Sequence, residues 1–251
     1  MKFDYHHITD IGDREENQDA CAILKHEDYI LLALSDGMGS YIDSKKAADC
    51  FCQISCESGQ PIAINSDDIE KSLREYFIQV VAEIPSCMQQ AGAESDMPYA
   101  TGVLAYIDNK QTIIAHVGDS RAYLITNDSI IHTQDHSMAQ LLANQGVISQ
   151  EDIKTHPSQA QLLRYLAKQP LEVEITHFPK LEESTIILLC SDGLWPLISD
   201  DELRILIDDS ELDLSLKNIV ETVKQRAKGH SDNITIQILR DSPKICVIAD
   251  H

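Results

Sequence analysis

One chemically loaded pattern recurs along the chain. Ile30-Leu31-Leu32-Ala33-Leu34-Ser35-Asp36-Gly37 and Ile186-Ile187-Leu188-Leu189-Cys190-Ser191-Asp192-Gly193 share one form, an unbroken apolar run followed by Ser-Asp-Gly. A third run, Ile113-Ile114-Ala115-His116-Val117-Gly118-Asp119, again sets an aspartate beside a glycine, and Asp232-Asn233 opens an apolar stretch at Ile234. Most Asp-Gly and Asp-Asn pairs serve only as turns, and any one of these taken alone reads that way. A strand apolar on both faces is buried, however, so an aspartate at its end is held by a rigid element where the chain leaves the core. Carboxylates gathered at one end of packed strands repel one another, and divalent cations relieve that repulsion. With oxygen donors and no neighbouring His-Cys set, the chemistry favours the hard ions Mg²⁺ and Mn²⁺. On spacing alone a metal site and a set of ordinary turns both stand.

The elements that would position these groups are short. Apolar runs with β-branched residues at 20–24, 29–35, 99–107, 112–117, 122–126, 173–178, 185–190 and 234–239 read as strands. Turns such as Asp108-Asn109-Lys110 and Asn127-Asp128-Ser129 leave only a few residues between neighbours, which permits hairpins and excludes helical crossovers there. Helical spacing appears at 44–56, 67–90, 200–208 and 214–228. Strands in blocks and helices in blocks predict an α+β fold, two packed antiparallel sheets with helices outside. The polar segment at about 137–170 interrupts the strands and reads as an excursion or flap.

The chain has 251 residues and is 43% hydrophobic, enough for one substantial core, so a single domain over residues 1–251 is expected. Acidic residues number 41 against 20 basic ones, and the formal charge of −21 makes nucleic acid and bare anionic membranes poor partners. The cysteines at 21, 50, 52, 56, 87, 190 and 246 are odd in number and lack the framework of a small secreted fold, which fits a reducing cytosol. Cys50, Cys52 and Cys56 sit at i, i+2 and i+6 of an expected helix and do not converge as zinc ligands. The N-terminal residues contain no apolar signal core, and no run reaches the ~18 apolar residues that span a bilayer. A soluble, unprocessed cytoplasmic monomer without membrane insertion is expected.

Six motifs in order carry a family resemblance. Arg14-Glu15-Glu16-Asn17-Gln18-Asp19, Asp36-Gly37-Met38-Gly39, Gly118-Asp119-Ser120-Arg121, Asp135-His136-Ser137, Ser191-Asp192-Gly193-Leu194-Trp195 and Asp232-Asn233-Ile234-Thr235 run from near the start of the chain to near its end. In them the chain resembles the protein phosphatase 2C (PP2C, or PPM) family of metal-dependent protein serine/threonine phosphatases, in its bacterial type. The resemblance implies a β-sandwich flanked by helices, with two Mn²⁺ or Mg²⁺ ions in a cleft at one end and a third, weaker ion in bacterial members. It implies that Asp36 bridges both metals, that the Gly37 carbonyl ligates one, and that Asp192 and Asp232 ligate the other. Asp19 would act through metal-bound water, Asp119 with Asp192 would hold the third ion, and Arg14 would bind the phosphate. The implied reaction is hydrolysis of phosphoserine and phosphothreonine by direct attack of a metal-bridging hydroxide. Arg14 can grip two phosphate oxygens at once, which a lysine does less well. The implied partner is a phosphorylated protein, opposed by a serine/threonine kinase.

Some positions depart from the family pattern. Met38 stands where many eukaryotic relatives carry a histidine proposed as general acid, and a thioether donates no proton. Ser40-Tyr41-Ile42-Asp43-Ser44 replaces a Gly-rich continuation, so the loop is expected to be differently shaped. The excursion containing Gly146, His156-Pro157 and Arg164 resembles the flap over the cleft, where Arg164 either adds a cation near the flap or is a plain helix-surface residue. His136 and Trp195 are read as structural. Two other functions compete: an inactive relative that binds a phosphorylated partner, which would be expected to have lost ligands, and a phosphatase of small phosphometabolites.

Overall fold

The unbroken apolar runs are explained by layering. The computed structural model describes residues 3–57, 68–182 and 185–241. Its strands are β1 (Phe3–Asp10), β2 (Asp19–Lys25), β3 (Tyr29–Asp36), β4 (Gly102–Asp108), β5 (Thr112–Val117), β6 (Arg121–Ile125), β7 (Ile130–His132), β8 (Glu174–Phe178), β9 (Ile186–Cys190) and β10 (Ile234–Asp241). They form two five-stranded antiparallel sheets, ordered β1-β10-β9-β6-β7 and β2-β3-β4-β5-β8. The helices are α1 (Ser44–Glu57), α2 (Ile69–Gln90), α3 (Met138–Asn144), α4 (Asp200–Arg204) and α5 (Leu212–Ala227).

Alternate residues of a central strand serve different cores, because side chains of a strand point to opposite faces. In β3, Leu32 and Leu34 join Ile187 and Leu189 of β9 in the layer between the sheets. Leu31 and Ala33 point the other way, into a core shared with Phe51 of α1 and Leu73 and Phe77 of α2. In β9 the outward positions are Ile186, Leu188 and Cys190, which belong to one core with Leu212, Leu216 and Val220 of α5. Helices therefore cover both outer faces, and an antiparallel strand that is apolar throughout is the result.

The strands and helices expected from periodicity are present with small shifts of boundary. The strand expected from 99 begins only at Gly102, and Ala100 makes an isolated bridge to Gly37. The helix expected over 200–208 is split into α4 and a 3₁₀ turn at Ile205–Ile207. Two further strands carry no clear sequence signal. In β1, Phe3–Asp10, histidines and acids break the apolar alternation, and β7 is a three-residue edge strand. The helix start at 67 and Cys246 lie outside the described residues.

The cysteines require a correction. Cys50 of α1 and Cys87 of α2 are joined in a disulfide, with a Cα–Cα distance of 5.9 Å, where the sequence predicts no bridge. The pair lies 37 residues apart in sequence and meets only because the two helices pack together, which cysteine spacing does not reveal. Cys21, Cys52, Cys56 and Cys190 remain thiols. No helix among the described residues is long and apolar enough to cross a membrane.

Candidate active site

Strands from both sheets end at the same place. The β2–β3 register sets Asp19 directly opposite Asp36. Asp192 follows β9 and Asp232 precedes β10, two strands that are neighbours in the other sheet. Asp36 lies within hydrogen-bond reach of both Asp19 and Asp192, so it occupies the middle of the cluster. Asp36, Asp119, Asp192 and Asp232 share the wall of one cavity of about 260 Å³ with Arg14 and Gly37. Asp19 is buried just behind, held by a 2.7 Å hydrogen bond from the Ser191 hydroxyl.

The serine of each Ser-Asp-Gly has a task. Ser35 Oγ donates to the Thr101 carbonyl at 2.6 Å, and Thr101 Oγ1 accepts from the Asp36 amide at 3.0 Å. Ser191 Oγ joins Asp19 to β10 by accepting from the Thr235 amide at 3.0 Å. The glycine of the second motif is required by close approach, since a Cβ on Gly193 would lie 2.0 Å from the Asn233 carbonyl oxygen. A Cβ on Gly37 would meet the Ser44 carbonyl oxygen at 2.7 Å. Real Cβ atoms do not come so near backbone atoms, so the chain crossings at the cavity need bare backbone.

Burial and mutual repulsion dominate the electrostatics. Burial, followed by the charges of Asp19, Asp192, Asp119 and Asp232, holds the Asp36 carboxyl well above the usual range. Asp119 is raised by burial and then by Asp192. Burial, with Asp232 and Asp19 adding to it, pushes Asp192 up to about 7. Burial pushes Asp19 up to about 6, against hydrogen bonds from Ser191 and Thr235 that favour its ionised form. Cations placed among such groups replace a repulsion with coordination. One observation fits them directly: Asp19 Oδ1 is buried with no hydrogen-bond partner among the described residues. An all-oxygen donor set of this kind suits Mg²⁺ or Mn²⁺.

Arg14 stands at the rim of the cavity. Its Nη2 donates to Asp232 Oδ2 at 2.6 Å, an ion pair that raises the guanidinium pKa further and leaves its other N–H groups for a ligand. The loop carrying Arg14 is tied down by Asn233, whose Nδ2 donates to the carbonyls of Ile11 and Glu16 and whose Oδ1 accepts from the Gln18 amide.

Below Asp119 sits a buried brace. Arg121 makes a two-pronged pair with Asp135, at 2.7 and 2.8 Å, and its guanidinium lies 3.6 Å from the Trp195 ring centroid. Trp195 is fully buried, and its indole N–H donates to the Asp119 carbonyl at 2.9 Å. Trp195 thus acts on backbone. His136 is structural too: its Nδ1 accepts from the Gly118 amide at 3.1 Å, so its proton sits on Nε2, facing Glu174 at 3.0 Å. That tautomer leaves no lone pair on Nε2, which argues against a metal among His116, His136 and Glu174 although their ligand atoms lie close together.

The expected flap residues Gly146 and Arg164 do not line the cavity. Gly146 takes a positive φ of 73° just beyond α3, with open space around it. Arg164 belongs to an irregular segment, not to a helix, and pairs with Glu172 at 3.2 Å and Glu174 at 3.4 Å. Ala160 and Leu162 are the residues of this excursion that line the cavity. Ser191 and Asn233 fall within motifs quoted from the sequence, but the bonds that they and Thr101 make to distant segments carry no sequence signal.

Helices outside two packed antiparallel sheets, with an acidic cavity where strands of both sheets end, define an α+β sandwich built around a carboxylate centre. The chain belongs to the protein phosphatase 2C family, whose model matches residues 9–233. It is 32% identical over 240 residues to the serine/threonine phosphatase stp of Listeria innocua, covering 93% of this chain and 90% of that protein. Among solved structures it is similar to the serine/threonine phosphatase Stp1 from Staphylococcus aureus, with a TM-score of 0.81 and 25% identity over 97% of this chain and 96% of the other. The fold is also shared, with a TM-score of 0.73 and 23% identity over 95% of this chain and 98% of the other, by the catalytic domain of the serine/threonine protein phosphatase PstP in complex with 2 manganese ions.

Proposed function

We propose that this chain is a metal-dependent protein serine/threonine phosphatase. The observation that carries the reading is the convergence of Asp19, Asp36, Asp119, Asp192 and Asp232, from segments far apart in sequence, beside one arginine at a cavity mouth. Relatives named as serine/threonine phosphatases support the substrate class. Asp36, central in the cluster, would bridge two ions, with the Gly37 carbonyl, Asp192 and Asp232 completing the set and Asp19 acting through an ordered water. Asp119 with Asp192 would hold a third, weaker ion. Bound Mn²⁺ or Mg²⁺ supplies Lewis acidity, screening the phosphate charge and making water a better nucleophile near neutral pH.

Arg14 binds two phosphate oxygens and sets the phosphorus facing the aspartate cluster, while its link to Asp232 keeps the guanidinium at the rim. Ser191 and Thr101 hold Asp19 and the Asp36 backbone in fixed positions, so little reorganisation is needed on binding. Met38, on the cavity wall, provides contact surface and no proton. A monomer acting on phosphoproteins, opposed by a kinase, belongs to the same reading. So does a cytoplasmic location, which the thiols of Cys21, Cys52, Cys56 and Cys190 favour and the Cys50–Cys87 bond weighs against. Counting reactive thiols in freshly isolated protein decides between them.

The test of the function is hydrolysis of p-nitrophenyl phosphate and of phosphothreonine peptides with and without Mn²⁺. Turnover that appears only with the metal and is lost in Asp192→Asn is expected. A blank assay in saturating Mn²⁺ from neutral to mildly alkaline pH would overturn the reading.

A further inference from the structure

A second concavity of about 360 Å³ lies between the outer face of α2 and the irregular segment that follows α3. Its walls include Ile78 and Val81 of α2, Met97 and Pro98, and Leu166 and Leu171. Ile78 is 45% and Met97 41% exposed, in a chain that is otherwise strongly acidic. Exposed apolar side chains around a concavity mark a binding surface more often than an isolated exposed residue does.

Two chain segments connect this groove to the active site. Met97 and Pro98 line the groove, and Thr101, four residues beyond Met97, lines the aspartate cavity. Leu162 lines the cavity and Leu166, four residues on, lines the groove. Between the two concavities stands an aromatic ridge. Tyr41, on the cavity wall and 41% exposed, stacks on Tyr99 with ring centroids 3.9 Å apart and planes at 14°. Tyr99 in turn meets Tyr165, at 6.1 Å. The ridge is held at both ends: the Met38 amide donates to the Tyr99 carbonyl at 3.0 Å, and the Leu166 amide to the Ala100 carbonyl at 2.9 Å. Asp43 secures the Tyr41 loop by accepting from the Glu94 and Ser95 amides at 2.7 and 3.0 Å.

The geometry points to a docking groove for the phosphoprotein substrate itself: an apolar side chain about four residues from the phosphorylated residue enters the pocket between Ile78, Met97 and Leu166, while the intervening peptide lies across Tyr41. The inference rests on the phosphatase reading and adds a substrate class to it. An extended peptide rises roughly 3.3 Å per residue, so a segment laid alongside 97–101, the stretch that joins groove to cavity, uses about four residues. A leucine seated there is released from water, and one missing apolar group in such a pocket changes discrimination by about ten-fold or more.

The test uses two phosphothreonine peptides, identical except for leucine or serine at the positions three to five residues from the phosphothreonine. With Mn²⁺ and the full chain, kcat/KM for the leucine peptide should exceed that for the serine peptide by about ten-fold or more, mostly through KM. Ile78→Glu and Met97→Glu, both at exposed positions, should reduce that ratio towards one while p-nitrophenyl phosphate turnover stays at the unmodified level. Equal rates for the two peptides in the unmodified chain, or a ratio that survives both variants, overturns the groove and leaves the phosphatase reading intact. Failure of the unmodified chain to hydrolyse p-nitrophenyl phosphate sinks the phosphatase reading and the groove with it. A concentration-dependent dimer that Ile78→Glu dissociates, with no change in the peptide ratio, would assign the surface to a second copy and also overturn the inference.

Discussion

The two Ser-Asp-Gly ends, nearly identical in sequence, are used differently. After β9 the chain turns inward: Gly193 presses on the Asn233 backbone and Trp195 is fully buried beneath Asp119. After β3 the chain stays at the surface: Met38 and Tyr41 line the cavity, and Ile42 is 58% exposed. One end is a foundation and the other is an open wall of the cavity. Both supply an aspartate to the same cluster, so position within the fold, not the motif, divides support from recognition. The β9 end can vary little without loss of folding, whereas the loop after β3 is free to differ, and Ser40-Tyr41-Ile42-Asp43 is where this chain departs from the Gly-rich pattern.

That division predicts which changes cost activity and which cost stability. The largest effect is expected from Asp36→Asn and Asp192→Asn, which should each lower kcat by about 10³-fold or more with Mn²⁺, because several kcal/mol of charge stabilisation is lost. Equal loss at both ends would confirm that both aspartates serve one centre; circular dichroism checks that the fold persists. Asp135→Ala should act on stability, costing about 3–5 kcal/mol in urea unfolding, since it leaves the Arg121 charge buried and unpaired. Trp195→Phe removes the N–H that reaches Asp119 and part of the buried ring that stacks on Arg121, and should cost about 2–4 kcal/mol. Tyr41→Ala, at the exposed end, should change unfolding by less than about 1 kcal/mol. If Tyr41→Ala destabilises more than Trp195→Phe, the contrast between the two ends fails.

The metal-free chain should also carry a pH signature. The folded-state pKa values of Asp19, about 6, and Asp192, about 7, lie above the ordinary 3.8. Such groups bind protons more readily when folded, so their stabilising contribution is complete below about pH 4 and is lost as pH rises through 6 to 7. Chelated protein should therefore melt at progressively lower temperature across that window. Mn²⁺ at about 100 times its dissociation constant should restore roughly 2.7 kcal/mol at about pH 7.5, a shift of about 5–10 °C. His116, pushed down to about 4 chiefly by burial, works in the opposite direction, gaining stability as pH rises from 4 to 6.5. Replacing it with glutamine should steepen the fall seen in chelator.

Much of this is legible in the sequence because buried strands and turn glycines leave strong local signals. The runs leading to Asp36, Asp119 and Asp192 reveal both the sandwich and three of its carboxylates, and the six motifs supply Arg14 and Asp19. Edge strand β1 is invisible because a half-buried edge tolerates His6, His7 and Asp4 in place of apolar alternation. The Cys50–Cys87 bond and the Arg121–Trp195 stack depend on contacts between distant elements, which no local pattern encodes. Arg164 escapes a sequence reading for a related reason: its partners, Glu172 and Glu174, lie at the far end of a segment without periodicity. Asn233 stands within a motif, but its role in tying down the Arg14 loop emerges only when β10 is brought beside that loop.

Manganese binding to chelated protein, followed by titration calorimetry in the unmodified chain and in Asp36→Asn, tests the central claim most directly. Two saturable sites in the unmodified chain that are both lost or severely weakened in Asp36→Asn are predicted, because that carboxylate stands between the others. An unmodified chain that takes up no Mn²⁺, or an Asp36→Asn chain that keeps both sites, would contradict a shared centre.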